Sequence, residues 1–586
     1  MINDRQDCAN SWLKKWVILY LILVCVFFAF LPSLENGFTN WDDGPHLLSN
    51  HSIRSLTGGH LKEIFSKTVV YTYIPLTLLS FAVEYHFFGY APFIYHLDNL
   101  LLHLGVVALL YIFALQLRLS WPAAALAALI FGLHPMRVES VAWVTERKDV
   151  LYAFFYMASM CSYMRYIHTN KKAPYVLSVL FGIASILSKP MAYSLPVILL
   201  LCEWFVGRRL VWKMFLDKIP FFLYILGVSL VTFVNNSNNI AIGLGDTIIL
   251  WIWSFTFYIL KFFWPVSLTP LYHVPEPVHI THPAYYWACL VALILLGMIV
   301  CFRKKRVFLL AFGFYLFSIF FLVVRTAWDF GNRTAVADRF MYLPSLGFCL
   351  LCGVLLVNGW QYCSRKAKWL GRAFAVLVML LMFWLGKESF YQCMIWKDSV
   401  SLWSYVLKLD PENMIAMENR AVAYAQDKRY EQALDDYHHL IRLKPDDASN
   451  YVNRAVIYSQ TKKYDLAFAD FKKALGMRPD QYGAYFNLGN LYREQQKLDK
   501  AIEAYSMAIQ LNGIYINAYN NRANLYFDLK QYSQAEADFK RILQLDPLNS
   551  RAYYNLSVIY QAFGRKEEAM EMAFKAQSLG FRTDAR

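Results

Sequence analysis

Two adjacent carboxylates, Asp42 and Asp43, follow directly on a long apolar run at 16–32. Paired acids can take a proton from a hydroxyl nucleophile or hold a divalent metal ion. A second group of chemistry-bearing residues lies in FGLHPMRVESVAWVTERKDV, 131–150. If this stretch is helical after Pro135, then Glu139, Trp143 and Arg147 recur at four-residue steps and share one face. A carboxylate, an aromatic platform and a guanidinium then point the same way. Arginine suits phosphate because its planar fork makes paired, charge-assisted hydrogen bonds. Lys189 and Arg339 add cations at the ends of other apolar runs. Together these residues fit a site that grips an anion and works on it with carboxylates. The plainer alternative is a set of solvated loop charges.

The elements that must position them are membrane helices. Hydrophobic residues make up 58% of the 586 and charged residues only 17%, a balance that suits a membrane protein. The charge is uneven. Residues 1–393 hold 31 Lys/Arg against 18 Asp/Glu, whereas 394–586 hold 26 against 24. The positive excess therefore belongs to the apolar part, where it orients helices, and the soluble part has no basic face for nucleic acid. The cysteines, all at or before Cys393, sit mostly inside apolar runs and read as small apolar fillers.

Apolar runs near 16–34, 95–117, 121–135, 150–167, 174–188, 191–206, 219–234, 285–302, 306–324, 341–359 and 369–387 predict eleven spans, the first of them uncleaved. The run 248–268 holds Lys261 and is expected to lie in the outer interface or re-enter. Basic stretches at 165–172, 207–213, 302–306 and 364–372 then share the cytoplasmic side with Lys14 and Lys15. One outer face collects Asp42, Asp43, Glu63, Glu139, Glu146, Asp149, Asp246, Glu276, Asp329 and Asp338, with Arg137, Arg147, Lys148, Lys189, Arg325, Arg333 and Arg339. Positive-inside logic would remove those arginines, so a site is the better reason for their presence.

Residues 414–583 repeat with a period of 34, from Met414, Ala448, Tyr482, Ile516 and Ser550. Position 20 is always alanine (Ala433, Ala467, Ala501, Ala535, Ala569) and position 11 always tyrosine. Small residues let paired helices approach, and Pro445, Pro479 and Pro547 end the second helix. Five copies of this pattern match the tetratricopeptide motif. Position 6 is asparagine throughout: Asn419, Asn453, Asn487, Asn521 and Asn555. Such an amide ladder can pair with the main chain of an extended peptide, so the array reads as a protein-binding groove. The segment 396–411 resembles a lone second helix that caps it.

The outer-face motifs carry a further resemblance. His134-Pro135, Glu139, Arg147 and Asp149 are similar to the HPxxxE…R motif of the transmembrane, tetratricopeptide-containing protein O-mannosyltransferases. So are NWDD at 40–43, YIPLTLLSF at 73–81, HLDNLLLHLG at 96–105 and ADRFMYLPSLGFCLL at 337–351. The resemblance runs over essentially the whole chain, and Lys189-Pro190 is more like the bacterial branch. It implies an all-α, C-type glycosyltransferase bundle over 1–393, a linker at 394–413 and repeats over 414–586. It implies a polyprenyl-phosphate sugar donor, a Ser/Thr acceptor and inversion at the sugar. Asp42 is then the base, with Asp43 and Glu139 beside it in the catalytic group. His134, Arg147, Lys189 and Arg339 go to the donor's phosphate and lipid, and the five asparagines to the acceptor polypeptide. A divalent ion stays open, with Asp42 and Asp43 as its ligands. The location implied is a bacterial inner membrane with the repeats on the periplasmic side. Two other readings stand beside this one: a C-type transferase acting on a lipid or glycan, and a membrane-anchored scaffold with no reaction of its own.

Overall fold

The computed structural model describes residues 2–70, 72–208, 211–234, 244–328 and 336–581. Asp329 and Arg333 lie outside the described residues. Among the described residues the chain is all-α, with one isolated bridge between Val69 and Thr72 and no strand. It divides into two compact units, Met1–Leu56 with Leu61–Leu409, and Thr57–His60 with Asp410–Arg586.

A bilayer core about 30 Å thick needs roughly 20 helical residues. Among the described residues six helices meet that length and are apolar enough: Lys14–Glu35, Pro92–Gln116, Gly245–Phe263, Pro283–Cys301, Leu346–Lys366 and Lys368–Ile395. The expected eleven are not all of this kind; the count is seven if one bent helix pair is a single span. Five of the six are expected spans. The sixth is the run expected to re-enter or lie in the interface, which forms one continuous helix, Leu244–Phe263. The other expected spans are helical without joining the six. Several are short for a reason the sequence holds. Trp121–Leu133 stops before His134-Pro135, and Lys172–Ser188 stops before Lys189-Pro190. A residue that precedes proline is pushed out of the helical region. Trp121–Leu133 and Pro135–Ala142 together make a pair bent by 59°.

The first unit packs through small residues. Gly353 lies so close to the Trp121–Leu133 helix that a Cβ there would stand 2.3 Å from the Ala123 carbonyl. The nine cysteines from Cys25 to Cys393 are free thiols, Cys349 and Cys352 included. The helix Ser399–Leu409, read above as a cap on the array, groups with the first unit, where Trp403 is fully buried.

The second unit is a run of five helix pairs, from Met414–Gln426 to Lys566–Ser578. Ala433, Ala467, Ala501 and Ala535 are completely buried between paired helices. At position 8 of the third copy, Gly489 faces the Tyr505 ring, where a Cβ would come within 2.7 Å. An Arg–Asp fork recurs in one register: Arg420 to Asp436, Arg454 to Asp470 and Arg522 to Asp538, each with two bonds of 2.7–2.9 Å. Each fork ties the first helix of a pair to the second.

Candidate active site

The acidic pair sits in an irregular loop after the first span, and its two members face different ways. Asp43 is completely buried. Its Oδ2 accepts from the Thr39 N–H at 2.7 Å and the Thr39 hydroxyl at 3.1 Å. Its Oδ1 accepts from the Trp143 indole N–H at 3.0 Å, the Thr145 N–H at 3.2 Å and the Thr145 hydroxyl. Five donors fill the acceptor sites of one carboxylate. Asp43 therefore ties the loop to 143–145 and does not fit a metal ligand. No group of three or more His, Cys, Asp or Glu among the described residues could hold a metal ion.

Asp42 is half-buried and faces a charged cluster. Burial pushes its pKa above the ordinary aspartate value of 3.8; Lys148 and Arg339 pull it down, and Glu146 pushes it up. The cluster continues behind it. Arg339 donates its backbone N–H to Glu139 Oε2 at 2.8 Å and its guanidinium to Glu139 Oε1. The same guanidinium lies 3.5 Å from Glu146 and over the Trp143 ring at 5.5 Å. Lys148 pairs with Glu146 at 3.1 Å, and Lys189 pairs with Asp149 and lies 3.6 Å from Glu146. Burial pushes the Glu146 carboxyl up, but Lys148, Lys189 and Arg339 together outweigh it and hold that carboxyl well below the usual range. Two cations, Lys148 and Arg339, thus act on the half-buried Asp42, and Lys189 joins them on the buried Glu146 behind it. Such a set can stabilise an anion while a base removes a proton.

Of the residues named from sequence, the structure brings together Asp42, Glu139, Lys189 and Arg339. The shared face of Glu139, Trp143 and Arg147 does not form. The Val138–Ala142 helix ends at Trp143, which is extended at φ −93 and ψ 119, and Arg147–Thr169 starts a new helix. Arg147 is consequently turned away from the cluster and fully buried. Its N–H groups go to Asn99, Asp98 at 3.0 Å, the Ser80 hydroxyl at 3.4 Å, Glu84 at 2.9 Å and the Tyr95 carbonyl at 2.8 Å. No donor is left for a phosphate, and the side chain holds three helices together. His134 is also occupied. Its Nδ1 accepts from the Met136 N–H at 3.3 Å, its Nε2 lies 2.9 Å from the Phe262 carbonyl, and its ring stacks on Phe262. It caps the turn that follows.

Glu146 and Lys148 carry no role in the sequence reading, yet they are the cluster's hinge. The signal was the unbroken charged run ERKD at 146–149 between apolar segments. In the repeats all five ladder asparagines are half-buried on the first helix of their pair. Three of their amides already have partners: Asn419 donates to the Ile415 carbonyl at 2.9 Å, Asn453 to Glu418 at 3.2 Å and Asn521 to Asn490 at 2.9 Å.

Comparison with known proteins covers both units. Tetratricopeptide-repeat family models match residues 396–448, 448–481, 482–513, 516–549 and 539–571. The chain is similar to human protein O-mannosyl-transferase TMTC3, 24% identical over 484 residues, covering 73% of this chain and 51% of that protein. Human protein O-mannosyl-transferase TMTC4 is 24% identical over 476 residues, with 68% and 62% covered. This chain thus spans half to three fifths of the length of these relatives. Among solved structures, the crystal structure of MamA is 21% identical, covers 27% of this chain and has a TM-score of 0.25.

Proposed function

We propose that this chain is a membrane glycosyltransferase. It moves a sugar, mannose or a similar hexose or pentose, from a polyprenyl-phosphate donor to Ser or Thr of an exported protein at the outer membrane face. The observation that carries this reading is a half-buried loop carboxylate, Asp42, within the electrostatic reach of Lys148 and Arg339, which Glu146 and Glu139 hold in place. The names of the similar proteins, protein O-mannosyl-transferases, support it.

A serine or threonine hydroxyl is a weak nucleophile. Asp42 takes its proton as the oxygen attacks the anomeric carbon, and the bond from that carbon to the donor's phosphate oxygen breaks. A single displacement inverts the sugar. The leaving lipid phosphate gains charge, which Arg339, Lys148 and Lys189 stabilise in a site shielded from bulk water. Glu139 holds the Arg339 fork in place. The repeats recruit the acceptor, and the location that fits is a bacterial inner membrane with the array on the periplasmic side.

One observation favours a second reading, in which the acceptor is a lipid or glycan: the Asn453 and Asn521 amides are engaged within the array. The test is transfer itself. Purified protein with a radiolabelled polyprenyl-phosphate mannose and a mixture of exported proteins should label protein at Ser or Thr, as read by mass spectrometry. Label recovered only in lipid or free glycan would select the second reading. No transfer to any acceptor, with several sugars tried, would leave a scaffold.

A further inference from the structure

The loop that carries Asp42 has no regular structure of its own between Asn36 and Asn40. Its polar groups must find partners elsewhere. Thr39 finds Asp43, and several of the others find partners on one segment, 393–403. The Asn36 side-chain amide donates to the Cys393 carbonyl at 3.1 Å, and the Gly37 N–H donates to the Lys397 carbonyl at 2.8 Å. The Asn40 N–H donates to the Ser399 hydroxyl at 2.9 Å. The Trp403 indole N–H donates to Asn40 Oδ1 at 2.7 Å. Trp403 also stacks on Trp41, the residue before Asp42, with ring centroids 4.6 Å apart and planes 20° apart. Trp396 stacks on Trp143, which holds Asp43. Both ends of the acidic pair are thus clamped by tryptophans of one segment.

Burial alone does not ask for this arrangement. Leu402 and Val406 already fill the apolar side of the Ser399–Leu409 helix. The Trp403 indole instead reaches the Asn40 side chain with its N–H and covers Trp41 with its face, on the two residues before Asp42. The same helix runs in sequence straight into Asp410 and the first repeat.

Resting on the function proposed above, we propose that Trp403 is a positioning residue for the Asp42 carboxylate: its stack on Trp41 and its bond to Asn40 hold the loop in the setting that faces Asp42 to Lys148 and Arg339. A consequence follows for ionisation. The groups acting on Asp42 are Lys148 and Arg339, which lower its pKa, and Glu146, which raises it along with burial. A loosened loop gives the carboxylate back to water, so its pKa falls toward 3.8.

The test uses the full-length protein in detergent or bilayer discs, as wild type, Trp403→Phe, Trp403→Leu and Ser399→Ala. Trp403→Leu should lower kcat by about 10–100-fold, the scale of a base displaced by an ångström or so. KM for donor and acceptor should stay within about twofold, and the acid limb of the kcat profile should move to lower pH. Trp403→Phe keeps a ring on Trp41 and should recover most of kcat. A second readout needs no activity: in an Asp42→Cys background, Trp403→Leu should speed alkylation of that thiol by roughly tenfold over the Trp403 parent. Unchanged kcat, acid limb and alkylation rate per folded molecule would overturn the proposal, even with a lowered Tm, because a purely structural Trp403 predicts that set. The underlying reading fails differently, through an inactive wild type or a fully active Asp42→Asn.

Discussion

Trp143 donates its indole N–H to Asp43 across 3.0 Å, and that bond faces the second acid of the pair into the protein. The two neighbours should therefore respond differently to the same change. Asp42→Asn keeps size and removes basicity. Turnover should fall by about 10²–10⁴-fold, the usual contribution of a general base, with Tm unchanged. Asp43→Asn turns an amide N–H₂ toward at least one N–H group, of Thr39 or of Trp143 and Thr145, that can only donate. It should cost about 1–3 kcal/mol of stability, the scale of a buried polar group left unsatisfied. Turnover per folded molecule and thermal melting of both purified variants check this, and the reverse pattern would make Asp43 the base.

The pH profile of turnover should show an acid limb above 3.8, because burial raises Asp42 and a base works only when deprotonated. The sign is fixed by the neighbours. Activity is present above the raised pKa and lost as pH falls through it. Removing the Lys148 charge in Lys148→Met should move that limb further up. Removing the Glu146 charge in Glu146→Gln should move it down, since Glu146 opposes ionisation of Asp42. A limb that ignores both changes would mean that another group titrates.

Arg147 separates a structural cation from a substrate cation. Its five N–H groups are taken by protein, so Arg147→Met should leave Glu84 uncompensated in the interior. Breaking such a pair typically costs about 3–5 kcal/mol, and adding Glu84→Gln should return part of it. Donor affinity of the folded fraction should be unaffected. Arg339→Ala should do the opposite in kind and weaken donor binding, measured directly with labelled lipid. Weakened donor binding by folded Arg147→Met would return that side chain to the phosphate.

These contrasts mark what the sequence could carry. The array is legible because helix pairing imposes small residues at fixed places, and Ala433 and Ala467 are where a 34-residue period puts them. The outer cluster is legible as composition, through charges that topology alone would remove. Its geometry is not. Four-residue spacing promised one face to Glu139 and Arg147, but the backbone leaves the helix at Trp143 to bring its indole to Asp43, a partner a hundred positions away. Helix length was hidden for a related reason: Leu133 and Ser188 end their helices just before His134-Pro135 and Lys189-Pro190, so those two helices are shorter than their apolar runs suggest.

The basic loops put the repeats outside only if the Leu244–Phe263 helix does not cross, and that makes the expectation testable. If that helix lies in the outer interface, the array is outside. A cysteine at exposed Lys566, on the last helix, should then react with a membrane-impermeant thiol reagent in intact spheroplasts. Labelling only after lysis would make Leu244–Phe263 a crossing and put the array in the cytoplasm.

The asparagine ladder decides what the array is for. Each amide bond to a peptide backbone contributes about 0.5–1.5 kcal/mol, so one Asn→Ala change should be nearly silent. Independent sites add, and Asn453, Asn487 and Asn521 changed together to Ala should show a clear loss. Its size is limited by what the free array already does. Asn453 must leave Glu418 and Asn521 must leave Asn490 before either can serve a peptide. The loss of affinity for a whole protein acceptor should therefore be about tenfold, near the low end of that sum. Glu418→Ala frees the Asn453 amide and should tighten the same acceptor. Transfer to a short peptide that reaches only the Asp42 cluster should persist in every variant. Equal loss of both activities would mean that the ladder supports the catalytic unit. Loss of neither would mean that the acceptor bypasses these amides, and the lipid or glycan acceptor would lead.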